Sequence, residues 1–329
     1  MRKLNTIAAA VSTAFLAGYG LPAQADIVAF GPAAYAESEL IVSNFRLKSA
    51  ITGDITAANF TNLKTDVRGQ SPTASINNVV AAGLPSSIDP ITNPGASFDV
   101  TASVGAYTPY VSYGVGTLGA GTFAGSSVNH IGTGLDPLNP TLAQTQAQVN
   151  INGIAKGGAN SAQTLTTEFT LTLLQEDTFN VTFTADLFQR AALAQPGVAA
   201  NSVVNWGLKV EKNIEVAPGF FAFVPVLEWN PNGGLAGSLG LCSVAGTCSE
   251  LDDPFSLNSQ VGTLNIADTV NTGSGDFGVQ ARLDAGDYRF SIGHTTFVNA
   301  ESTDLPEPVS LALLGLGLAG LGFTRRRKA

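Results

Sequence analysis

Apolar and polar residues alternate strictly along Thr167–Ala185, and that period of two limits what the chain can build. Phe169, Leu171 and Leu173 point one way while Glu168, Thr170 and Thr172 point the other. After Gln175-Glu176-Asp177 the pattern resumes, with Phe179, Val181, Phe183 and Ala185 on one face and Thr178, Asn180, Thr182 and Thr184 on the opposite one. Successive side chains of an extended strand face opposite sides, so each run is a strand with one buried face. The short polar break predicts a hairpin. A second hairpin is expected where Phe277, Val279, Ala281 and Leu283 lead through Asp284-Ala285-Gly286-Asp287 to Tyr288, Phe290 and Ile292. Val204, Trp206, Leu208 and Val210 alternate in the same way. Phe221 and Phe223 add a strand that Pro225 confines to an edge or a bulge. Leu40–Leu47 reads as the first strand.

Strands with one greasy and one wet face bury the former by stacking two antiparallel sheets, so the expected fold is an all-β, antiparallel β-sandwich. An outer-membrane barrel alternates similarly, but this chain lacks a terminal aromatic strand. Asn62–Leu142 is rich in Pro, Gly, Ser and Asn and reads as long loops around short strands such as Ser97–Val104 and Tyr107–Val115. Periodicity leaves Thr141–Ile154 open between helix and strand.

The two ends are built differently. Arg2 and Lys3 precede a mostly apolar Leu4–Gly20, and Ala23-Gln24-Ala25 closes an Ala-x-Ala cleavage site. Residues 1–25 are therefore expected to be a secretory signal peptide, handled by the secretion translocase and signal peptidase, with Asp26 first in the mature chain. At the other end Pro306-Glu307-Pro308 is followed by uncharged Val309–Thr324 and then by Arg325, Arg326, Arg327 and Lys328. Sixteen helical residues span roughly 24 Å, short of a ~30 Å hydrocarbon layer but within what snorkelling arginines and local thinning accommodate. A single transmembrane helix over 309–324 is expected, with the basic stop inside and the body, residues 26–304, outside.

This order of proline break, apolar helix and basic end in residues 305–329 resembles the PEP-CTERM sorting signal of exported bacterial proteins. The resemblance implies that an exosortase recognises Pro306, Glu307 and Pro308 and removes the helix on the way to the cell surface. It also implies that the protein works at the surface or in an extracellular polysaccharide matrix of the kind a biofilm holds. Ala185-Asp186-Leu187-Phe188 and Gly286-Asp287-Tyr288-Arg289-Phe290 resemble steps in an EDSAxN-like subgroup, although no copy of that motif is present.

Charge narrows the partners. The whole chain carries −9, and setting aside the basic ends leaves −14 on residues 26–304. Such a body disfavours nucleic acid and anionic lipid, because the phosphate charge repels it. Cys242 and Cys248, six positions apart in an exported chain, are expected to form a disulfide.

Motifs for chemistry are sparse. The two histidines, His130 and His294, accompany no nucleophile turn, zinc motif or phosphate loop, so no catalytic residue, metal or cofactor is expected. Glu168, Glu176, Glu211, Glu215 and Glu228 are candidates for a carboxylate pair by count alone. Glu250, Asp252 and Asp253, or the Gly273–Gly278 run, are candidates for calcium. Trp206, Trp229, Tyr107, Tyr110 and Tyr113 are candidates for stacking on sugar rings. The leading expectation is a non-enzymatic exported surface protein. A carbohydrate-binding module and a secreted hydrolase are the alternatives.

Overall fold

The structure is a computed structural model that describes residues 33–302, apart from 57–58, 61, 69–71, 90–95, 110–120, 132–141, 154, 162–163, 195–198, 235–238, 243–246 and 265–266. Most of the described residues lie in strands, paired antiparallel in two sheets. In chain order the strands are β1 (Ala33–Ser49), β2 (Gly53–Asp54), β3 (Asn62–Arg68), β4 (Thr73–Ile76), β5 (Val79–Ala82), β6 (Ser87–Ile88), β7 (Ser97–Val104), β8 (Phe123–Ile131), β9 (Leu142–Asn152) and β10 (Ala155–Asn160). They continue with β11 (Thr164–Leu173), β12 (Asp177–Leu193), β13 (Ala199–Ala217), β14 (Phe220–Trp229), β15 (Leu239–Cys242), β16 (Cys248–Asp252), β17 (Ser259–Thr263), β18 (Ala267–Leu283) and β19 (Gly286–Ser302). One sheet runs β16-β18-β12-β1-β9-β8-β7. The other runs β15-β14-β13-β19-β10-β4-β5, with β11 and β17 also joined to β19 and β13.

The alternation is confirmed and the two expected hairpins are not. β11 lies in the second sheet on β19, whereas β12 lies in the first sheet on β18. The turns at 174–176 and 284–285 are therefore arches that carry the chain from one sheet to the other. The arches stack, since Leu173 pairs with Gly286 and Asp177 with Leu283. Period-two patterning fixes which face is buried but not which strand lies beside it, and an arch and a hairpin bury the same residues.

Between the sheets lies one large core in which Phe183 packs on Trp206 at 4.5 Å, on Phe277 at 5.2 Å and on Trp229 at 5.8 Å between ring centroids. Rings of this size bury 150–250 Å² each and hold the sheets a full side-chain length apart. A second core, of Ala34, Ala36, Ala147, Ala191, Ala200, Val298 and their neighbours, is built from small residues. There the sheets come close enough for direct bonding. Ser202 Oγ donates to the Glu37 carbonyl at 2.7 Å and Ser126 Oγ to the Thr73 carbonyl at 3.0 Å, each from one sheet to the other.

Local backbone devices keep the pattern in phase. In β1 the register against β12 slips between Ser43 and Arg46, with Asn44 at φ 54°. The extra residue turns an even-numbered buried run, Leu40 and Val42, into an odd one, Phe45 and Leu47. Pro225 sits beside a register shift of β14 on β13, where a missing N–H is tolerated. Asn77 and Asn78 both have positive φ, as the two-residue β4–β5 turn requires. Within Thr141–Ile154, Leu142–Asn152 is the strand β9. The described residues of Asn62–Leu142 hold six strands, β3 to β8, more than the composition suggests. Tyr107–Pro109 is not strand, and the rest of the strand expected to Val115 lies outside the described residues.

Cys242 and Cys248 form the expected disulfide, with Cα atoms 6.0 Å apart. It joins the end of β15 to the start of β16, so it staples the edge of one sheet to the edge of the other. Replacing both cysteines by serine is expected to lower stability by about 2–3 kcal/mol, the loop-closure entropy of so short a ring. The shift in the urea midpoint measures it, with Leu174→Ser at a solvent-exposed arch position as the neutral control.

Candidate functional site

Pro306, Glu307, Pro308, Arg325 to Arg327, Ala23 and Ala25 all lie outside the described residues, as does the 309–324 helix. Among the described residues no helix is long and apolar enough to cross a membrane. Among the described residues, polar side chains gather on the two outer faces of the sandwich.

On the first sheet the outer face of β1 presents Tyr35, Glu37 and Glu39, which alternate with the inward Ala36, Ser38 and Leu40. Antiparallel pairing lays β9 alongside, with Gln144, Gln146 and Gln148 on the same face. The side chains then bond on the diagonal. Gln148 Nε2 donates to Tyr35 Oη at 2.6 Å, Gln146 Nε2 lies 3.4 Å from Glu37 Oε1 and 3.5 Å from Glu39 Oε2, and Gln144 Nε2 donates to Glu39 Oε1. Tyr35 Oη donates to Glu37 Oε2 at 2.5 Å. From β12, Arg190 places its guanidinium 5.4 Å from the Tyr35 ring centre and forks onto Asp268 through two bonds of 2.8 and 3.0 Å. Tyr107 lies over this face. Its ring packs on Gly125, where a Cβ would collide at 2.0 Å, and its hydroxyl bonds Gln146 Oε1 at 2.9 Å and Ser127 at 3.2 Å.

Glu37 and Glu39 are 2 % and 3 % exposed, and burial of a carboxylate disfavours its charge. Burial raises Glu39 to about 7; the Gln144 bond opposes this and the neighbouring Glu37 charge adds to it. Burial also raises Glu37, against the pull of Tyr35, Arg190 and Gln146. Burial, followed by the Glu37 charge, moves the Tyr35 phenol well above its ordinary value. The ladder can hold a proton near neutral pH, and it locks β1 to β9 in one register, because a shift along the strand would strand two carboxylates without donors.

The second outer face carries a trough of about 490 Å³. Its floor is the pair Gly207 and Gly293, opposite each other on β13 and β19. With no side chains there, the backbone is open between Asn205, Lys209, Ser291, Thr295 and Thr166. Asn230 reaches over Gly207, its Oδ1 standing 2.7 Å from where a Cβ would be. Beside it Asn258 takes the place of a strand between β14 and β17. Its Oδ1 accepts from the Trp206 N–H at 3.2 Å, and its Nδ2 donates to the Trp206 carbonyl at 2.9 Å.

The residues picked from sequence mostly disperse. Trp206 and Trp229 are buried, and Trp229 Nε1 donates to Glu250 Oε1 at 2.7 Å, so neither offers a face to a sugar. Tyr107 is engaged with Gln146 and Ser127; Tyr110 and Tyr113 lie outside the described residues. The calcium candidates split up. Glu250 serves Trp229, Asp253 Oδ2 accepts from the Asn232 and Gly233 N–H groups, and Asp252 is exposed. Among the described residues no group of three or more His, Cys, Asp or Glu is placed to hold a metal. Gly273 and Gly275 lie within β18, where they make room for Phe255 and Pro254. Glu211 is buried against Lys209 and Arg289, at 2.7 and 2.5 Å; burial pushes its pKa up, but the two cations outweigh it and the net shift is down. Glu176 pairs with Arg282, and Glu215 caps Gly219 N.

His294 faces the core and is lowered to about 3 by burial, then by the charge of His130. The Tyr35–Glu37–Glu39 ladder escaped sequence reading because β1 begins earlier than Leu40. Its signal is a period-two polar run, Tyr-x-Glu-x-Glu, matched by Gln-x-Gln-x-Gln at 144–148.

Compared with known protein families, residues 304–328 match the model of the PEP-CTERM protein-sorting motif. The chain carries a PEP-CTERM sorting signal. That signal marks an exported protein that passes through the membrane to the cell surface and is processed by an exosortase. No curated protein and no solved structure matches the chain. The EDSAxN-like subgroup finds no support in the matched family.

The stability of this tagged protein should show two opposed pH limbs. Glu39 is raised in the fold, so its contribution is complete below about pH 4.5 and is lost as pH rises through about 7. His294 is depressed, so its contribution is complete above about pH 6.5 and is lost as pH falls toward about 3. Each limb slopes by at most about 1.4 kcal/mol per pH unit. In Glu39→Gln the alkaline limb should flatten while the acid limb stays, as read by urea unfolding from pH 3 to 9.

Proposed function

We propose that residues 26–304 form a non-enzymatic structural body, delivered to the cell surface or the extracellular polysaccharide matrix by the PEP-CTERM signal. The signal peptide at 1–25, read by the secretion translocase and signal peptidase, starts that route, and the 309–324 helix provides a membrane-held intermediate. The observation that carries the reading is the sorting motif standing behind a sandwich whose buried carboxylates are bonded inside the fold. Glu37 and Glu39 answer to Tyr35, Gln144 and Gln146, and Glu211 answers to Arg289 and Lys209. A general acid or base must reach a substrate proton, and these groups are turned toward their own neighbours.

The test compares two sets of variants in cells. Pro306→Ala with Pro308→Ala is expected to leave an uncut, membrane-held precursor, seen as a mass increase and as loss of surface antibody labelling. Glu37→Gln with Glu39→Gln should keep surface delivery and matrix retention unchanged. A carboxylate variant that stays folded and reaches the surface yet loses the phenotype would replace the structural reading with the hydrolase.

A second reading, a carbohydrate-binding module, is favoured by the trough over Gly207 and Gly293. Amides and hydroxyls around a bare backbone floor suit a neutral polyhydroxylated chain. The −14 body would repel an anionic one. Asn205→Ala with Asn230→Ala is expected to weaken binding of neutral matrix polysaccharide about thirtyfold, at about 1 kcal/mol for each of two lost bonds, measured by affinity electrophoresis.

A further inference from the structure

The turn joining β13 and β14 projects beyond the sandwich. The last pair of β13 with β19 is Lys212 with Tyr288, and the last pair of β14 with β15 is Leu227 with Cys242. Beyond those points, among the described residues, 213–217 pair only with 220–223, while Val224 and Pro225 pair with Lys212 and Glu211. Among the described residues the result is a two-stranded ribbon with no further strand on either long edge. Pro218-Gly219 closes it, with Gly219 at φ 77° as this turn requires and its N–H donating to Glu215 at 2.7 Å.

The ribbon is apolar where it should be wet. Val216 is 57 % exposed, Phe220 70 % and Phe221 65 %. Residues 216–227, Val-Ala-Pro-Gly-Phe-Phe-Ala-Phe-Val-Pro-Val-Leu, contain no charged or polar side chain. Natural sheets blunt their edges with charge or proline; here Glu215 on β13 and Pro225 on β14 do so, and Phe220–Val224 carries neither.

We propose that this ribbon is a self-association surface, through which two copies of the chain pair β14 against β14 in antiparallel register. Three observations select a second copy. Open N–H and C=O groups cannot enter hydrocarbon without partners, so a strand satisfies the ribbon and a lipid tail does not. Two copies of a body of charge −14 meet with least like-charge contact through an uncharged segment, and Val216–Leu227 is one that also exposes its apolar side chains. The ribbon also lies at the end of the β13–β19 ladder opposite Glu301, after which the chain leads on to the tag. Ala199 pairs with Glu301 at one end of the β13–β19 ladder and Lys212 with Tyr288 at the other, roughly 40 Å apart at strand rise. Antiparallel pairing of a strand with itself has two-fold symmetry and closes at a dimer. Pro225 has no N–H to give, so the paired stretch is Phe220–Val224, centred on Ala222. This surface is separate from the trough, and the proposal stands independently of the structural and carbohydrate readings.

The native cysteines are bonded to each other, so a single added cysteine is the one reactive thiol. In the exported protein Ala222→Cys is expected to give a disulfide-linked dimer on non-reducing gels. Leu174→Cys, at a 92 % exposed arch position, should give none. Phe220→Ser with Phe221→Ser should weaken dimerisation at least about tenfold by light scattering, with an unchanged Tm. No dimer above the Leu174→Cys background overturns the proposal, as does a dimer that survives in the serine variant. A monomer that instead co-sediments with phosphatidylcholine vesicles overturns it in favour of lipid.

Discussion

Everything in this molecule rests on two sheets presenting aromatic faces to each other, joined by arches that must cross between them. Phe183 from one sheet touches Trp206 and Trp229 of the other and Phe277 of its own. The arches at 174–176 and 284–285 stack so that β11 lies on β19 and β12 on β18. Neither sheet could bury its rings without the other, because an isolated sheet with one greasy face has nowhere to put it.

The thickness of the sandwich changes along its length. Where the core is aromatic the sheets stand apart. Where it is alanine and valine they close until serine hydroxyls reach carbonyls of the facing sheet. Polar side chains that find no place in the core collect on the outer faces, as a bonded ladder over β1 and β9 and as an open trough over Gly207 and Gly293. The first spends its hydrogen bonds on register. The second leaves its amides and hydroxyls facing solvent.

How far the sequence could be read depended on what each pattern encodes. Alternation of Phe179, Val181 and Phe183 against threonines told which side is inside, and Val204, Trp206, Leu208 and Val210 followed the same rule. The disulfide was readable from two cysteines in an exported chain. Tyr107 was singled out as an aromatic for sugars and turned out to cap a carboxylate ladder, since its ring fits over Gly125, 18 residues away in sequence. The ladder itself was hidden because its two halves, at 35–39 and 144–148, look like ordinary polar strand faces until pairing brings them together.

The chain by itself determined its strand periodicity, its buried faces, its disulfide and its sorting signal, because each is written in neighbouring residues and needs no distant partner. Tertiary structure alone decided that the turns are arches, that Glu37 and Glu39 meet Gln144 and Gln146, and that a ribbon with an uncharged β14 strand stands clear of the sheets. Those depend on which strand lies beside which, and a period of two is satisfied equally well by many neighbours.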